Sequence, residues 1–185
     1  MIVYNEKNAA EALLETEPEN LIGKLLLDKK LKLVVAESCT GGLISDWVTN
    51  IPGSSEYYLG GVTSYAYEAK RQVLGVKPQT LDDYGAVSRP TVIEMAVGVR
   101  RLFSGEIPPE QIVSLSVSGI AGPGGGTEEK PVGTAWIGLS APDGDWAWKY
   151  IWNGDRLENK AYFARMALNL MIAYLKDNLP PEVYV

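Results

Sequence analysis

The sequence contains no histidine and only one cysteine, Cys39. The missing histidine excludes the Ser-His-Asp triad and the Cys-His pair and removes the commonest zinc ligand, and a lone cysteine cannot form an intrachain disulfide. Acid–base chemistry would have to use Lys, Asp, Glu, Tyr or a bound water. We therefore expect no metal site and no cofactor.

Long apolar runs and an excess of basic residues are also lacking. No segment is apolar over a length that would span a bilayer, and the first twenty residues show no basic stretch followed by an apolar one. The formal net charge of −6 argues against a surface that binds nucleic acid. We expect a cytoplasmic protein with no membrane or nucleic-acid partner. An anionic small molecule would need only a few local cations.

What remains is typical of one globular domain of 185 residues. We assign residues 18–180 to this domain, residues 1–17 to an N-terminal extension and residues 181–185 to a tail. Strands interleave with helices and one hairpin turns at Pro142–Asp145, which predicts a single α/β domain with a mixed sheet.

Helices and strands are predicted by apolar spacing and by capping residues. Ser88 before Pro90 is a good N-cap, and Asp155 with Glu158 has capping-box spacing. The predicted helices are 19–30, 41–50, 68–75, 77–85 (a short helix or turn), 89–103 and a last one from about 155, and the predicted strands are 31–37, 61–67, 111–122 and the hairpin 134–152. The apolar stripe of the last helix is predicted to be Leu157, Ala161, Ala164, Leu168, Met171 and Ile172.

The stretch "VVAESCTGG" places Ser38, Cys39 and Thr40 at a turn between a strand and a helix. Backbone N–H groups at a helix start favour negative charge, either on an attacking oxygen or on a substrate oxyanion. Glycines at 41 and 42 would let a bound group approach the backbone. The alternative is a capping serine followed by glycines that only allow tight packing.

The loop "SGIAGPGGGTEEKPVG" follows a predicted strand and is rich in glycine. It is neither a Walker A motif nor a dinucleotide fingerprint, because no Gly-Lys-Ser/Thr follows and the next element is a strand. Its backbone N–H groups could still bind an anion. A flexible surface loop is the alternative interpretation.

Two further stretches carry candidate polar groups. "TSYAYEAK" places Tyr65 and Lys70 at a strand end and the following turn, and a lysine can act as a base only when it is neutral. "NGDR" places Arg156 at the start of the last helix, where its guanidinium could bind a phosphate or carboxylate. Solvated side chains are the alternative for both cations.

These blocks, with "GSSEYYLGGVTSYAYEAK" and "GAVS", resemble the CinA C-terminal domain family over about residues 19–177. The resemblance implies a three-layer α/β/α domain that self-associates as a dimer or larger homo-oligomer. It also implies an amidohydrolase that converts nicotinamide mononucleotide to nicotinate mononucleotide and ammonia, a step of pyridine-nucleotide salvage. The chain looks like the stand-alone form.

The resemblance implies Ser38 as nucleophile, Lys70 as general base and Tyr65 in the same hydrogen-bond network. N–H groups from Cys39 to Gly42 would stabilise the oxyanion. The residues expected to bind substrate are Thr40, Gly41, Gly42, Ser118, Gly119, Gly122, Gly124, Gly125, Thr127 and Arg156.

Tyr67 stands where this family often has Asn, which leaves the identity of the amide substrate open. Two alternatives therefore remain: a non-catalytic module that binds a phosphorylated nucleotide, and an amidase of the same mechanism acting on another amide.

Overall fold

The computed structural model describes residues 17–182, and these form five strands and six α-helices. Most of the predicted N-terminal extension and the last three residues of the predicted tail lie outside this range. The strands are β1 (Lys32–Glu37), β2 (Tyr58–Thr63), β3 (Ile112–Gly119), β4 (Thr134–Ala141) and β5 (Gly144–Ile151). The helices are α1 (Pro18–Asp28), α2 (Leu43–Thr49), α3 (Tyr67–Leu74), α4 (Pro78–Tyr84), α5 (Arg89–Phe103) and α6 (Arg156–Leu175).

The sheet is mixed, as predicted, with the strand order β2-β1-β3-β4-β5. The first three strands in this order are parallel, while β4 and β5 are antiparallel to their neighbours. Glu37 at the end of β1 pairs with Thr63 on one side and Val117 on the other. The carboxyl ends of these three strands therefore meet at one edge, where open α/β sheets commonly bind ligands.

Helices cover both faces of the sheet, which confirms the three-layer α/β/α fold. On one face, α1, α2 and α6 bury apolar side chains such as Ile22, Ile44 and Phe163 against β1, β3 and β4. On the other face, α3, α4 and α5 contribute residues such as Leu74 and Met95. β1 and β3 are buried on both faces, so their sequences are almost continuously apolar or small.

The predicted helix ends and hairpin are confirmed. Ser88 accepts a hydrogen bond from the Thr91 N–H at the start of α5, and Asp155 with Glu158 forms a capping box at the start of α6. The hairpin is present with a shorter turn than predicted, Pro142 and Asp143, because Ala141 pairs with Gly144 and Ser140 with Asp145. Among the described residues no helix is both long and apolar enough to cross a bilayer.

Some predicted boundaries and one residue of the predicted apolar stripe differ from the structure. Gly41 and Gly42 precede α2 instead of forming its first turn, because their φ angles of 66° and 98° are left-handed. β2 ends at Thr63, since the chain turns into α3 over the next three residues. Leu157 is 74% exposed because it lies in the capped first turn of α6, before the helix enters the core.

Candidate active site

A cleft of about 180 Å³ lies at the carboxyl ends of the parallel strands. This volume is below the roughly 300–1,000 Å³ of pockets that enclose a drug-sized ligand, so it suits a small ring or amide with the rest of the molecule at the open mouth. Its lining residues come from five separate segments of the chain: Ser38, Cys39, Tyr65, Lys70, Ala86, Val87, Ser118, Gly119, Ala121 and Arg156. Within residues 17–182, no group of three or more His, Cys, Asp or Glu residues could hold a metal ion.

Lys70 and Ser38 are in contact at the bottom of this cleft. The Lys70 Nζ lies 2.9 Å from the Ser38 Oγ, and the lysine side chain is completely buried. The same nitrogen donates to the carbonyl oxygens of Ser64 at 2.6 Å and Tyr65 at 3.3 Å. A neutral amine has two N–H groups and one lone pair. The two carbonyls can accept both N–H groups, which leaves the lone pair for the Ser38 hydroxyl.

The position of Lys70 follows from local structure. Lys70 lies in the first turn of α3, and helical side chains lean toward the N-terminus of the helix. Its ammonium group is thereby directed at the Ser64–Ala66 turn that leaves β2. Burial lowers the pKa of Lys70 to about 8, because the charged form loses its hydration.

Cys39 lines the cleft and also packs in the core, where it is 6% exposed. Burial raises the pKa of its thiol to about 12, and the N–H groups of Cys39 and Thr40 beside the sulfur lower this pKa only in part. A thiol with such a pKa is not ionised near neutrality, so Cys39 is a poor nucleophile.

Glu37, which sequence reasoning missed, fixes the turn that carries Ser38. Its buried carboxylate accepts hydrogen bonds from the N–H groups of Gly42, Ile44 and Ser45 and from the Ser45 hydroxyl. These groups include the backbone N–H groups at the start of α2 that have no partner within the helix. The Glu37 carboxylate therefore occupies the position at the helix start where an anionic ligand could otherwise bind. The sequence signal for this role was an acidic residue that precedes a predicted helix. Glu37 lies farther from the helix than an ordinary N-cap residue does.

This arrangement corrects part of the predicted oxyanion site. The Gly42 N–H donates to Glu37 and the Gly41 N–H donates to the Ser38 carbonyl at 3.1 Å. Two of the four predicted donors are therefore engaged within the turn, and the N–H groups of Cys39 and Thr40 are left.

Tyr65 and Arg156 meet at the mouth of the cleft. One guanidinium nitrogen of Arg156 donates to the Tyr65 hydroxyl at 3.1 Å and another donates to the Gly122 carbonyl. The Tyr65 side chain is 62% exposed. In this structure its hydroxyl bonds to Arg156, while only its backbone carbonyl contacts Lys70. Tyr65 thus contacts Lys70 through its backbone carbonyl and not through its hydroxyl, which is the group the predicted hydrogen-bond network would use.

The structure brings only some of the predicted substrate-binding residues to the cleft. Ser118, Gly119 and Arg156 line it, and Gly122 contributes the carbonyl bonded to Arg156. The predicted residues outside the lining are Thr40, Gly41, Gly42, Gly122, Gly124, Gly125 and Thr127.

The reasons for these differences are local. Thr40 is completely buried, and its hydroxyl has no hydrogen-bond partner among the described residues. Gly124, Gly125 and Thr127 lie in an exposed loop and are not among the residues that line the cleft. Thr127 closes this loop locally through hydrogen bonds with the Lys130 backbone.

Two further residues position the cleft walls, and one of them, Asn159, was also missed. Asn159 is completely buried, and its side chain bonds to the Ala121 and Gly154 carbonyls, which ties the loop after β3 to the start of α6. The Tyr67 hydroxyl accepts a hydrogen bond from the Ala86 N–H at 3.2 Å and so holds another wall. The only sequence signal for the role of Asn159 was its position, as a polar residue one helical turn after Arg156.

The family of the chain follows from comparison with known proteins. A model of the CinA C-terminal domain family matches residues 15–175. The chain belongs to this family. A CinA-like protein of Desulfosudis oleivorans is 50% identical over 151 residues, which are 81% of this chain and 35% of that protein. A CinA-like protein of Chlorobaculum tepidum is 44% identical over 168 residues, covering 88% and 38%. The chain thus spans a little over a third of these curated relatives.

Solved structures share the fold of this CinA-family chain. The competence/damage-inducible protein CihA from Agrobacterium tumefaciens has a TM-score of 0.77 and 37% identity, covering 86% of this chain and 96% of its own. A CinA superfamily protein from Klebsiella pneumoniae has a TM-score of 0.80 and 29% identity, covering 87% and 97%.

Proposed function

We propose that this CinA-family protein is an amidohydrolase that deamidates nicotinamide mononucleotide to nicotinate mononucleotide and ammonia. The observation that carries the proposal is the contact of 2.9 Å between the Lys70 amine and the Ser38 hydroxyl. A buried lysine whose pKa is lowered to about 8 is a competent base for a serine when histidine is absent. The cleft volume supports the choice of a small aromatic amide, with the phosphorylated ribose at the mouth.

The first half of the reaction forms an acyl-enzyme. Neutral Lys70 takes the proton of Ser38 as the oxygen attacks the carboxamide carbon. The tetrahedral oxyanion is stabilised by the N–H group of Cys39, where it displaces the weakly accepting Cys39 sulfur. The carbon–nitrogen bond then breaks, and Lys70 returns the proton to the departing ammonia.

The second half regenerates the serine. Water attacks the ester carbonyl and gives a proton to Lys70, the bond to the Ser38 oxygen breaks, and this oxygen is reprotonated by Lys70. The acid that forms releases its remaining proton to solvent and leaves as the nicotinate carboxylate. Arg156 binds the ribose phosphate, and this remote binding orients the amide at Ser38. Tyr65 holds Arg156 in place through its hydroxyl. The proposal includes self-association and a cytoplasmic location.

An ammonia-release assay with nicotinamide mononucleotide tests the proposal, run with and without a chelator. We expect stoichiometric ammonia and nicotinate mononucleotide in both conditions. Calorimetric binding without turnover would instead favour the non-catalytic nucleotide module. Turnover of nicotinamide or another amide in preference to the nucleotide would favour an amidase of different specificity.

A further inference from the structure

A partly buried chain of hydrogen bonds leads from β2 to the turn that carries Ser38. The Tyr58 hydroxyl oxygen lies 2.8 Å from the Ser45 hydroxyl oxygen, which in turn lies 2.8 Å from Oε1 of Glu37. Tyr58 is on β2 and Ser45 is in the first turn of α2, and neither of them lines the cleft. The chain therefore lies behind the reacting groups and not among them.

The direction of these hydrogen bonds follows from the hydrogens that each group carries. Three backbone N–H groups, which can only donate, reach the Glu37 carboxylate, so both of its oxygens are acceptors. The Ser45 hydroxyl has one hydrogen, and this hydrogen must point at Glu37. Tyr58 must then donate to Ser45. Burial raises the pKa of Tyr58, so its hydroxyl keeps its hydrogen near neutrality.

Glu37 depends strongly on these donors. The residue is 1% exposed, and within residues 17–182 it forms no salt bridge. A buried charge without a counter-ion is stabilised mainly by the hydrogen bonds it accepts, which are stronger than bonds between neutral groups. The orientation of the carboxylate is therefore set by its donors, and one of these is the Ser45 hydroxyl that Tyr58 holds.

Gly61 leaves room for the Tyr58 hydroxyl. A Cβ on Gly61 would lie 2.8 Å from the Tyr58 oxygen and 2.5 Å from a methyl carbon of Val35 on the neighbouring strand. Any larger residue would therefore push the hydroxyl away from Ser45 or separate β2 from β1. This contact gives a physical role to the tyrosine and the glycine of the block "GSSEYYLGG", which the cleft lining does not explain.

The turn that carries Ser38 is held at both ends. At its start the Ser38 N–H donates to the Val117 carbonyl at 3.0 Å, and at its end the Gly42 N–H donates to Glu37 at 2.9 Å. A shift of about 1 Å in a reacting group can lower a rate by up to roughly 100-fold. Loosening Glu37 would free one end of the turn and so misplace the Ser38 oxygen.

We infer that Tyr58 is a positioning residue for Ser38. Its hydroxyl holds Ser45 in the orientation that donates to Glu37, and Glu37 fixes the end of the Ser38 turn. The effect is on the placement of the nucleophile and not on ligand binding. The inference rests on the proposed function only for the reaction in which the loss is measured.

The test compares Tyr58→Phe with Tyr57→Phe. Tyr57 is the preceding residue, and its buried hydroxyl has no hydrogen-bond partner among the described residues, so it is a matched control. Ser45→Ala and the double variant Tyr58→Phe/Ser45→Ala complete the set. Ammonia release from nicotinamide mononucleotide gives kcat and KM. Intact-mass spectrometry gives the rate at which a fluorophosphonate labels Ser38, and thermal melts give the stability.

We expect Tyr58→Phe to lower kcat and the labelling rate together by roughly 3- to 10-fold, the effect of one hydrogen bond. KM should change less than about twofold, because Tyr58 does not line the cleft. The double variant should be no slower than Ser45→Ala alone, since Tyr58 acts only through Ser45. Tyr57→Phe should keep the wild-type kcat and labelling rate.

Two results would overturn the positioning role. One is a Tyr58→Phe protein with wild-type kcat and labelling rate, even if it melts at a lower temperature, because the hydroxyl would then serve stability alone. The other is a double variant whose losses add, because Tyr58 would then act by a route that does not pass through Ser45.

The two proposals fail separately. If the wild-type protein releases no ammonia but the labelling of Ser38 depends on the Tyr58 hydroxyl, the amidase fails and the positioning role stands. If the nucleotide is deamidated but Tyr58→Phe changes neither kcat nor labelling, the positioning role fails and the amidase stands. A wild-type protein that neither releases ammonia nor is labelled at Ser38 overturns both.

Discussion

The Lys70 amine and the Ser38 hydroxyl lie 2.9 Å apart although thirty-two residues separate them in the chain. Ser38 follows β1 and Lys70 lies in α3, the helix that follows β2, and these two strands are parallel neighbours. Both side chains therefore arrive at one edge of the sheet, where the lysine is desolvated by the surrounding protein.

Removal of the nucleophile should abolish turnover. Ser38→Ala is expected to lower kcat for nicotinamide mononucleotide by at least about 10³-fold, as in other enzymes with a covalent serine. Cys39→Ala is the control, since its thiol is protonated near neutrality and should not attack. Ammonia release at the wild-type rate from Ser38→Ala would exclude a serine mechanism.

The pH dependence of activity should report the lysine. The base form of Lys70 is neutral, so kcat/KM should rise with a slope of one below about pH 8 and level off above it. At pH 7 the rate should be about one tenth of the plateau. A Lys70→Arg variant keeps the charge but cannot deprotonate, and we expect no activity at any pH. A flat profile between pH 6 and 9 would contradict the role of Lys70 as base.

The same lysine should make stability depend on pH. Its folded pKa of about 8 lies below the ordinary value of 10.5, so the unfolded chain binds more protons between these two values. The free energy of unfolding of the wild type should therefore rise relative to Lys70→Met across pH 8 to 10.5, by up to about 1.4 kcal/mol per pH unit. Urea denaturation of both proteins at pH 7, 8.5 and 10 measures the difference. A constant difference would show that the amine is not desolvated.

Glu37 should support both stability and turnover. Glu37→Gln replaces one acceptor oxygen with a donor, so a backbone N–H of the Gly42–Ser45 segment loses its partner. We expect about 1–3 kcal/mol of destabilisation and a lower kcat, because the Ser38 turn loosens. Glu110→Gln, at an exposed site, should stay within about 0.5 kcal/mol of wild type. Thermal melts and ammonia release check both effects.

Tyr67 should tune substrate binding through the wall formed by Ala86 and Val87. Tyr67→Phe removes only the hydroxyl that accepts from the Ala86 N–H. We expect KM to rise about 2- to 10-fold with little change in kcat, the value of one ordinary hydrogen bond. Tyr84→Phe, on the exposed end of α4, is the matched control. Identical kinetics for Tyr67→Phe and wild type would remove Tyr67 from the specificity-determining residues.

The local features of this fold could be predicted from the sequence. These features depend on residues that are neighbours in the chain, so short stretches of sequence are enough to predict them. They are the caps at Ser88 and Asp155, the hairpin at residues 142–145 and the apolar runs of β1 and β3. The absence of histidine likewise narrows the candidate bases to lysine, the acidic residues, tyrosine and water, because composition alone removes the imidazole.

Other features were decided only by tertiary structure. Ser38 and Lys70 could be named as candidates from the sequence, but the desolvation of the lysine and its two carbonyl partners depend on how α3 packs over β2. Whether a glycine loop reaches the cleft depends on the path of the loop, and residues 124 and 125 do not line the cleft.

"VVAESCTGG" shows the division most clearly. The sequence by itself determined that a strand, a turn and a helix would present a hydroxyl and free N–H groups at this point, because composition and spacing act locally. The fold decided which groups stay available: Glu37 takes the helix start, Cys39 is buried and protonated, and Lys70 reaches Ser38. Long-range contacts set burial and partners, and these in turn set reactivity.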